Sequence, residues 1–142
     1  EREEKQLPIL LVIDDNEDIR YYMRQLLSDD YEIIEASGGV QGWEMVQQHL
    51  PDLVISDVMM PDIDGIELCR NIKTSPDTCH IPVVLVTAKL SDASQIQALE
   101  HGADSYITKP FTEAHIKAQI TNILVSREKL KEQPKLSQLK EL

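Results

Sequence analysis

The chain has 142 residues, a length that suits one domain, and a domain of this size buries ~68–70% of its unfolded surface. Hydrophobic residues make up 42% and charged residues 27%, the balance of a folded soluble protein, so disorder is expected only at the ends. The 25 acids against 14 bases leave a formal charge of −11, which argues against this segment gripping a nucleic-acid backbone or an anionic membrane by itself.

In chain order, EREEKQ (1–6) reads as a linker, and PILLVI (8–13) as a first strand that runs into the acid cluster Asp14, Asp15, Glu17 and Asp18. Ile19, Tyr22, Met23, Leu26 and Leu27 then recur at helical spacing. A second strand, YEIIEA (31–36), ends in Ala36-Ser37-Gly38-Gly39, and Val40, Trp43 and Val46 mark a second helix. DLVISD (52–57) ends on Asp57, Gly65 sits in the PDIDG turn, and Ile66, Cys69 and Ile72 mark a third helix capped by Asp64. IPVVLVTA (81–88) ends in Thr87-Ala88, a fourth helix carries Ile96 and Leu99, and Gly102 stands where a left-handed C-cap is wanted. DSYITK (104–109) ends in Lys109-Pro110, and Ile116, Ile120, Ile123 and Leu124 form the last stripe. The tail, 127–142, reads as a charged linker or helix extension, with Pro134 ending any helix that leaves the domain.

Strands and helices alternating at this spacing imply a (βα)5 fold of class α/β, with a parallel sheet, right-handed crossovers and helices on both faces. In such sheets ligands bind beyond the carboxyl ends of the strands. Those ends carry Asp14 and Asp15, Asp57, Thr87 and Lys109. If the first and third strands are neighbours, three carboxylates converge, and two unit charges at 4 Å repel by about 4 kcal/mol at an effective dielectric of ~20. Either one carboxyl stays protonated or a cation sits there. Hard oxygen donors at an open site suit Mg²⁺, and these parts fit phosphoryl transfer. Asp57, alone at its strand end, is the expected nucleophile, with Asp14 and Asp15 better placed to hold metal. Taken singly, Thr87 reads as an ordinary strand residue and Lys109 as a solvated surface lysine. Only their joint placement favours a site.

VIDDNED, ISDVMMPDIDG, LVTA and YITKPF, in that order and separation, resemble the receiver domain of two-component response regulators, the CheY-like fold, from about Pro8 to Ser126. The resemblance implies a flavodoxin-like doubly wound sheet of order 2-1-3-4-5 and a receiver domain over 7–126. It implies that Asp57 accepts a phosphoryl group from a phosphohistidine and that Asp14 and Asp15 serve Mg²⁺, with Mn²⁺ as an alternative ion. The Met59 backbone carbonyl would join the metal, Thr87 and Lys109 would bind phosphoryl oxygens, and the Lys109-Pro110 bond would be cis. Thr87 and Tyr106 would form a switch that reshapes the surface of the fourth helix, fifth strand and fifth helix.

The wording SDVMMPDIDGIELCRNIKTSPDTCHIPVVLVTAK is similar to receivers of hybrid proteins that join sensor, kinase, receiver and an AraC-type DNA-binding domain. The implied partners are a histidine kinase domain in the same polypeptide, a transcriptional output domain and a second copy on activation. Direct contact with nucleic acid or membrane is not expected. On that reading the segment is cut from a longer protein and is no conventional enzyme, catalysing only its own phosphorylation and slow dephosphorylation. Cys69 and Cys79 lack Cys-x-x-Cys spacing, and no secretory signal or spanning apolar run is present, which points to the reduced cytoplasm. Two rivals stand beside this reading. One is a haloacid-dehalogenase-like phosphatase, for which IDDNED has the wrong acid spacing; the other is a receiver-like binding module that does not depend on phosphorylation. Nucleotide binding ranks lower, since Gly38-Gly39 is too little for a phosphate cradle.

Overall fold

The computed structural model describes residues 7–88 and 102–126. Five parallel strands form one sheet of order β2-β1-β3-β4-β5: β1 Ile9–Ile13, β2 Glu32–Ala36, β3 Leu53–Asp57, β4 Val83–Thr87 and β5 Ser105–Thr108. The helices α1 Glu17–Leu27, α2 Gly39–His49 and α3 Gly65–Thr74 connect the first four strands. This is the expected flavodoxin-like, CheY-like architecture. Two compact units divide the chain, 1–111 and 112–142, and the described part of the second is a helix over 113–126. The expected fourth helix with Ile96 and Leu99 lies outside the described residues, as do the linkers 1–6 and 127–142.

Every strand is shorter than its apolar run. Pro8 and Pro82 have no amide to donate, but their carbonyls accept from Glu32 and Val54 at the strand entrances. Asp52 and Asp104 stand just before β3 and β5, and each carboxylate accepts the first amide of a neighbouring strand, from Ile9 and from Val83, both at 2.7 Å. Side chains then alternate between faces. Leu11, Ile13, Val54, Val83 and Leu85 join Val46 of α2 and Leu68, Cys69 and Ile72 of α3 in one cluster. Leu10, Val12, Leu53, Ile55, Val84 and Val86, buried as well, point the other way, and α1 buries Met23 and Leu27.

Three helical details differ from the expected stripes. Tyr22 is exposed and its ring lies 6.1 Å from that of Phe111. Val40 also points outward, because the inner face of α2 is Gly39, Gly42 and Val46. Gly65 is not a turn residue but the first residue of α3, with Asp64 before it accepting the Glu67 amide at 2.8 Å. Gly102 does take a left-handed conformation, φ +93°.

Candidate phosphoryl-transfer site

Each functional side chain is placed by the end of a strand. Asp14 follows β1, Asp57 closes β3, Thr87 closes β4, and Lys109 follows β5, its amide donating to the Thr87 carbonyl at 2.7 Å. Because β1 lies beside β3, the acids of two distant segments meet. One carboxylate oxygen from each of Asp14, Asp15 and Asp57 lies within 4.8 Å of the others. Asp14 and Asp57 are buried, at 3% and 8% exposure, and Asp15 is exposed. The Lys109 ammonium sits 3.5 Å from Asp14 Oδ2 and 3.6 Å from Asp57 Oδ1.

The electrostatics follow from this crowding. The Asp57 carboxyl is held above its ordinary 3.8, first by burial and then by the neighbouring Asp14 carboxylate. Lys109 and the backbone amides of Met59 and Val58 pull the other way without prevailing. Among the described residues, three carboxylates stand against one ammonium, and their oxygen donors with one side open to solvent fit a hard divalent cation that keeps some of its waters.

Thr87 is buried at the neighbouring strand end, 5% exposed. Met59 projects its side chain into solvent, 73% exposed, on the loop that follows Asp57. Tyr106 is half-buried, paired in register with Leu85 and packed on the edge of the α2/α3 cluster. The Lys109-Pro110 bond is cis. Beside Lys109 opens an apolar cleft of about 570 Å³, lined by Ile19, Tyr22, Ala88, Lys109, Pro110 and Phe111.

Several supporting residues were not anticipated. Asn16 caps α1, accepting from the Asp18 and Ile19 amides, while its own amide donates to Asp14 Oδ1 at 2.9 Å. An Asn directly before a helical stripe is a recognisable start signal, so this one was readable. Arg20 donates to the Asp14 carbonyl at 2.6 Å and pairs with Glu35 of β2, which also holds Arg24. Asp62 accepts the Gly39 and Val40 amides at the start of α2, both at 3.0 Å. Those amides therefore meet a side chain of the chain itself.

Comparison with known proteins agrees with the geometry. The family model described as the response regulator receiver domain matches residues 10–121. The chain is 44% identical over 128 residues to Histidine kinase P4 of Formosa agariphila, covering 90% of this chain and 9% of that protein. It is 39% identical over 115 residues to the response regulator PleD of Caulobacter vibrioides, covering 80% and 25%. The chain thus spans a quarter or less of the length of these relatives. Among solved structures, a CheY-like receiver domain protein of Methanospirillum hungatei superposes with a TM-score of 0.82 at 26% identity, covering 87% of this chain and 98% of that one. The receiver domain of a histidine kinase from Syntrophus aciditrophicus gives 0.78 at 31%, covering 84% and 91%. With its acids and lysine gathered at the carboxyl edge of the same sheet, this chain belongs to the response regulator receiver domain family of two-component systems.

Proposed function

We propose that Asp57 is the residue that accepts the phosphoryl group, in a Mg²⁺-dependent transfer from a phosphohistidine. The observation that carries this is the meeting of the buried Asp57 carboxylate with Asp14, Asp15 and the Lys109 ammonium at one sheet edge. A carboxylate oxygen of Asp57 forms the new O–P bond while the P–N bond of the donor breaks, its electron pair leaving on the imidazole nitrogen. Lys109, already beside Asp57, holds the phosphoryl oxygens as a point charge, and the Thr87 hydroxyl donates to them. Asp14, Asp15, Asp57 and the Met59 carbonyl would hold Mg²⁺, which when bound supplies charge neutralisation for the phosphoryl oxygens. The apolar cleft next to Lys109 offers a seat for the apolar surface of a donor protein.

Phosphorylation adds about −1.5 to −2 charge at Asp57. Thr87 moves toward that charge, and Tyr106 turns into the space it leaves, changing the exposed side of β5. A swing from 1:99 to 99:1 needs roughly 5.5 kcal/mol of differential stabilisation, of which several charge-assisted bonds supply a large part. The relatives named as histidine kinases support a kinase donor in the same polypeptide. A transcriptional output, in an AraC-type DNA-binding domain controlled by a receiver dimer, belongs to the same proposal, as does a cytoplasmic location. Neither cysteine is in a disulfide, which suits that compartment. Membership in the receiver family sets aside the phosphatase reading.

Mass spectrometry after incubation with acetyl phosphate and Mg²⁺ tests the assignment. One added phosphoryl group on the wild type and none on Asp57→Asn is expected. Equal labelling of the variant overturns Asp57 as the acceptor, and no labelling of the wild type favours the phosphorylation-independent binding module instead.

A further inference from the structure

The loop after β3 is pinned at both ends, and the two pins differ in kind. At its start Val58 packs against the core cluster and is held by backbone bonds, its amide donating to the Val86 carbonyl at 3.0 Å and its carbonyl accepting from Gly65 at 2.8 Å. At its far end, beside the packed Ile63, the hydrogen bonds converge on one side chain. Asp62 Oδ1 accepts from the Gly39 amide at 3.0 Å and from its own neighbour Ile63 at 2.7 Å, and Oδ2 accepts from Val40 at 3.0 Å. Three backbone donors from two segments converge on a single carboxylate.

The approach that makes this possible is built into α2. An added Cβ at Gly39 would lie 2.3 Å from the Ile63 carbonyl oxygen, and one at Gly38 would lie 2.9 Å from Asp62 Oδ2. Only glycines let the helix start come this near the loop. The helix gains its first-turn cap from a residue more than 20 positions downstream, since Gly38 supplies no side-chain cap. Met59, Met60 and Pro61 are strung between the two pins. Met60 is buried in the core cluster, and the Met59 amide faces the Asp57 carboxylate. Met59 is thus strung between Val58, fixed before it, and the buried Met60 and clamped Asp62 after it.

We propose that Asp62 is a positioning residue for the phosphoryl-transfer site: by clamping the loop to the first turn of α2, it holds the Met59 peptide where its carbonyl completes the cation site. This rests on the Mg²⁺ reading above. A carboxylate is suited to the task, because its two oxygens serve three amides with charge-assisted bonds. The amide of Asn keeps one acceptor oxygen, which can still serve Gly39 and Ile63, but turns a donor toward the Val40 amide. Ala keeps none.

Isothermal titration calorimetry of the unphosphorylated chain with MgCl₂, on wild type, Asp62→Asn and Asp62→Ala, tests the proposal, with urea unfolding to show that each variant is folded. The expected result is a Mg²⁺ dissociation constant weakened about 10-fold in Asp62→Ala, the low end for supporting hydrogen bonds at metal sites, and by less in Asp62→Asn. Labelling by acetyl phosphate should need correspondingly more Mg²⁺ and reach the wild-type rate at saturation. Equal Mg²⁺ affinity in all three proteins, whatever happens to stability, overturns the proposal and leaves Asp62 as a helix cap only. So does a lower saturating rate at unchanged affinity. A wild type that binds no Mg²⁺ overturns the cation reading as well, so the two failures are distinct. Should Asp62→Ala not fold, the Asp62→Asn comparison decides alone.

Discussion

Gly65 lies directly against the backbone of Asp57: a Cβ at Gly65 would come within 2.3 Å of the Asp57 carbonyl oxygen and 3.0 Å of the Val58 Cα. Those are main-chain atoms, held by the Val58–Val86 and Gly65–Val58 bonds, so they cannot swing aside as a side-chain tip would. Replacing glycine in a helix gains at most about 1 kcal/mol of propensity, whereas forcing a shift in a packed region costs about 1–3 kcal/mol. The second effect wins. Gly65→Ala is expected to lower stability by about 1–2 kcal/mol in urea unfolding and to slow labelling of Asp57. Gly42→Ala is the comparison, because its Cβ meets the terminal Cδ1 of Ile13 at 2.6 Å, which can turn away. A Gly65→Ala protein as stable as Gly42→Ala would show that the backbone there yields easily.

Burial and Asp14 raise the Asp57 carboxyl above its ordinary 3.8, which has a definite sign for stability. Well below 3.8 the group is neutral in both folded and unfolded chains, and ionisation contributes nothing. As the pH rises past 3.8 the unfolded chain releases its proton first, so stability falls until the folded group ionises too, and the penalty then stays constant. In EDTA at pH 7, Asp57→Asn is therefore expected to have a higher urea midpoint than wild type, with the gap closing toward pH 4. Mg²⁺ should then raise the wild type more than the variant, since it binds the folded state that keeps all three carboxylates. A variant less stable than wild type in EDTA at pH 7 contradicts the burial argument.

The two thiols should behave as different chemical species. Cys69 is fully buried, and burial pushes it from an ordinary 9.0 up to about 11, with Lys73 opposing and Asp104 adding to the rise. Cys79 is exposed. A disulfide reagent at pH 8 is expected to titrate one thiol quickly in the native protein and two after unfolding, because the thiolate is the attacking form. The raised Cys69 value also means that its contribution to stability is full below pH 9.0 and is lost as the pH climbs to about 11. Comparing wild type with Cys69→Ala across that range isolates the effect. Two fast native thiols would mean that the α3/β4 layer opens readily.

The strand ends were legible because short β-branched runs stop abruptly on Asp14, Asp57, Thr87 and Lys109, a pattern that needs no tertiary information. That the first and third strands are neighbours was not legible from the runs alone; it came with the family resemblance, and the sheet bears it out. In α2 the expected stripe holds at Trp43 and Val46, which pack inward, and fails at Val40 for a physical reason. Beside Val46 the inner face includes Gly39 and Gly42, which carry no hydropathy signal and are buried because Ile63 and Ile13 press on them. Val40 then looked like a core residue when it faces solvent. Asp62 and Arg20 were silent for another reason: their partners, at 39–40 and 35, are neighbours only after the sheet has formed.

Arg20 gives the acid pair its footing. Its guanidinium donates to the Asp14 carbonyl at 2.6 Å and to Glu35 Oε1 at 3.2 Å, joining the end of β1 to β2, and the side chain is only 16% exposed. Arg20→Ala removes a charge-assisted bond from that carbonyl and leaves Glu35 to Arg24 alone. The expected loss is about 1.5–3 kcal/mol in urea unfolding, the range for hydrogen bonds to charged groups. Arg20→Lys keeps the charge but not the planar fork, and a single ammonium on a flexible stem cannot hold both acceptors in one geometry. It should recover less than half of the loss. A double-mutant cycle with Glu35→Gln separates the two bonds, with a coupling of roughly 0.5–3 kcal/mol expected for groups in one network. An Arg20→Lys protein as stable as wild type would mean that charge alone, and not the fork, anchors the end of β1 beneath Asp14.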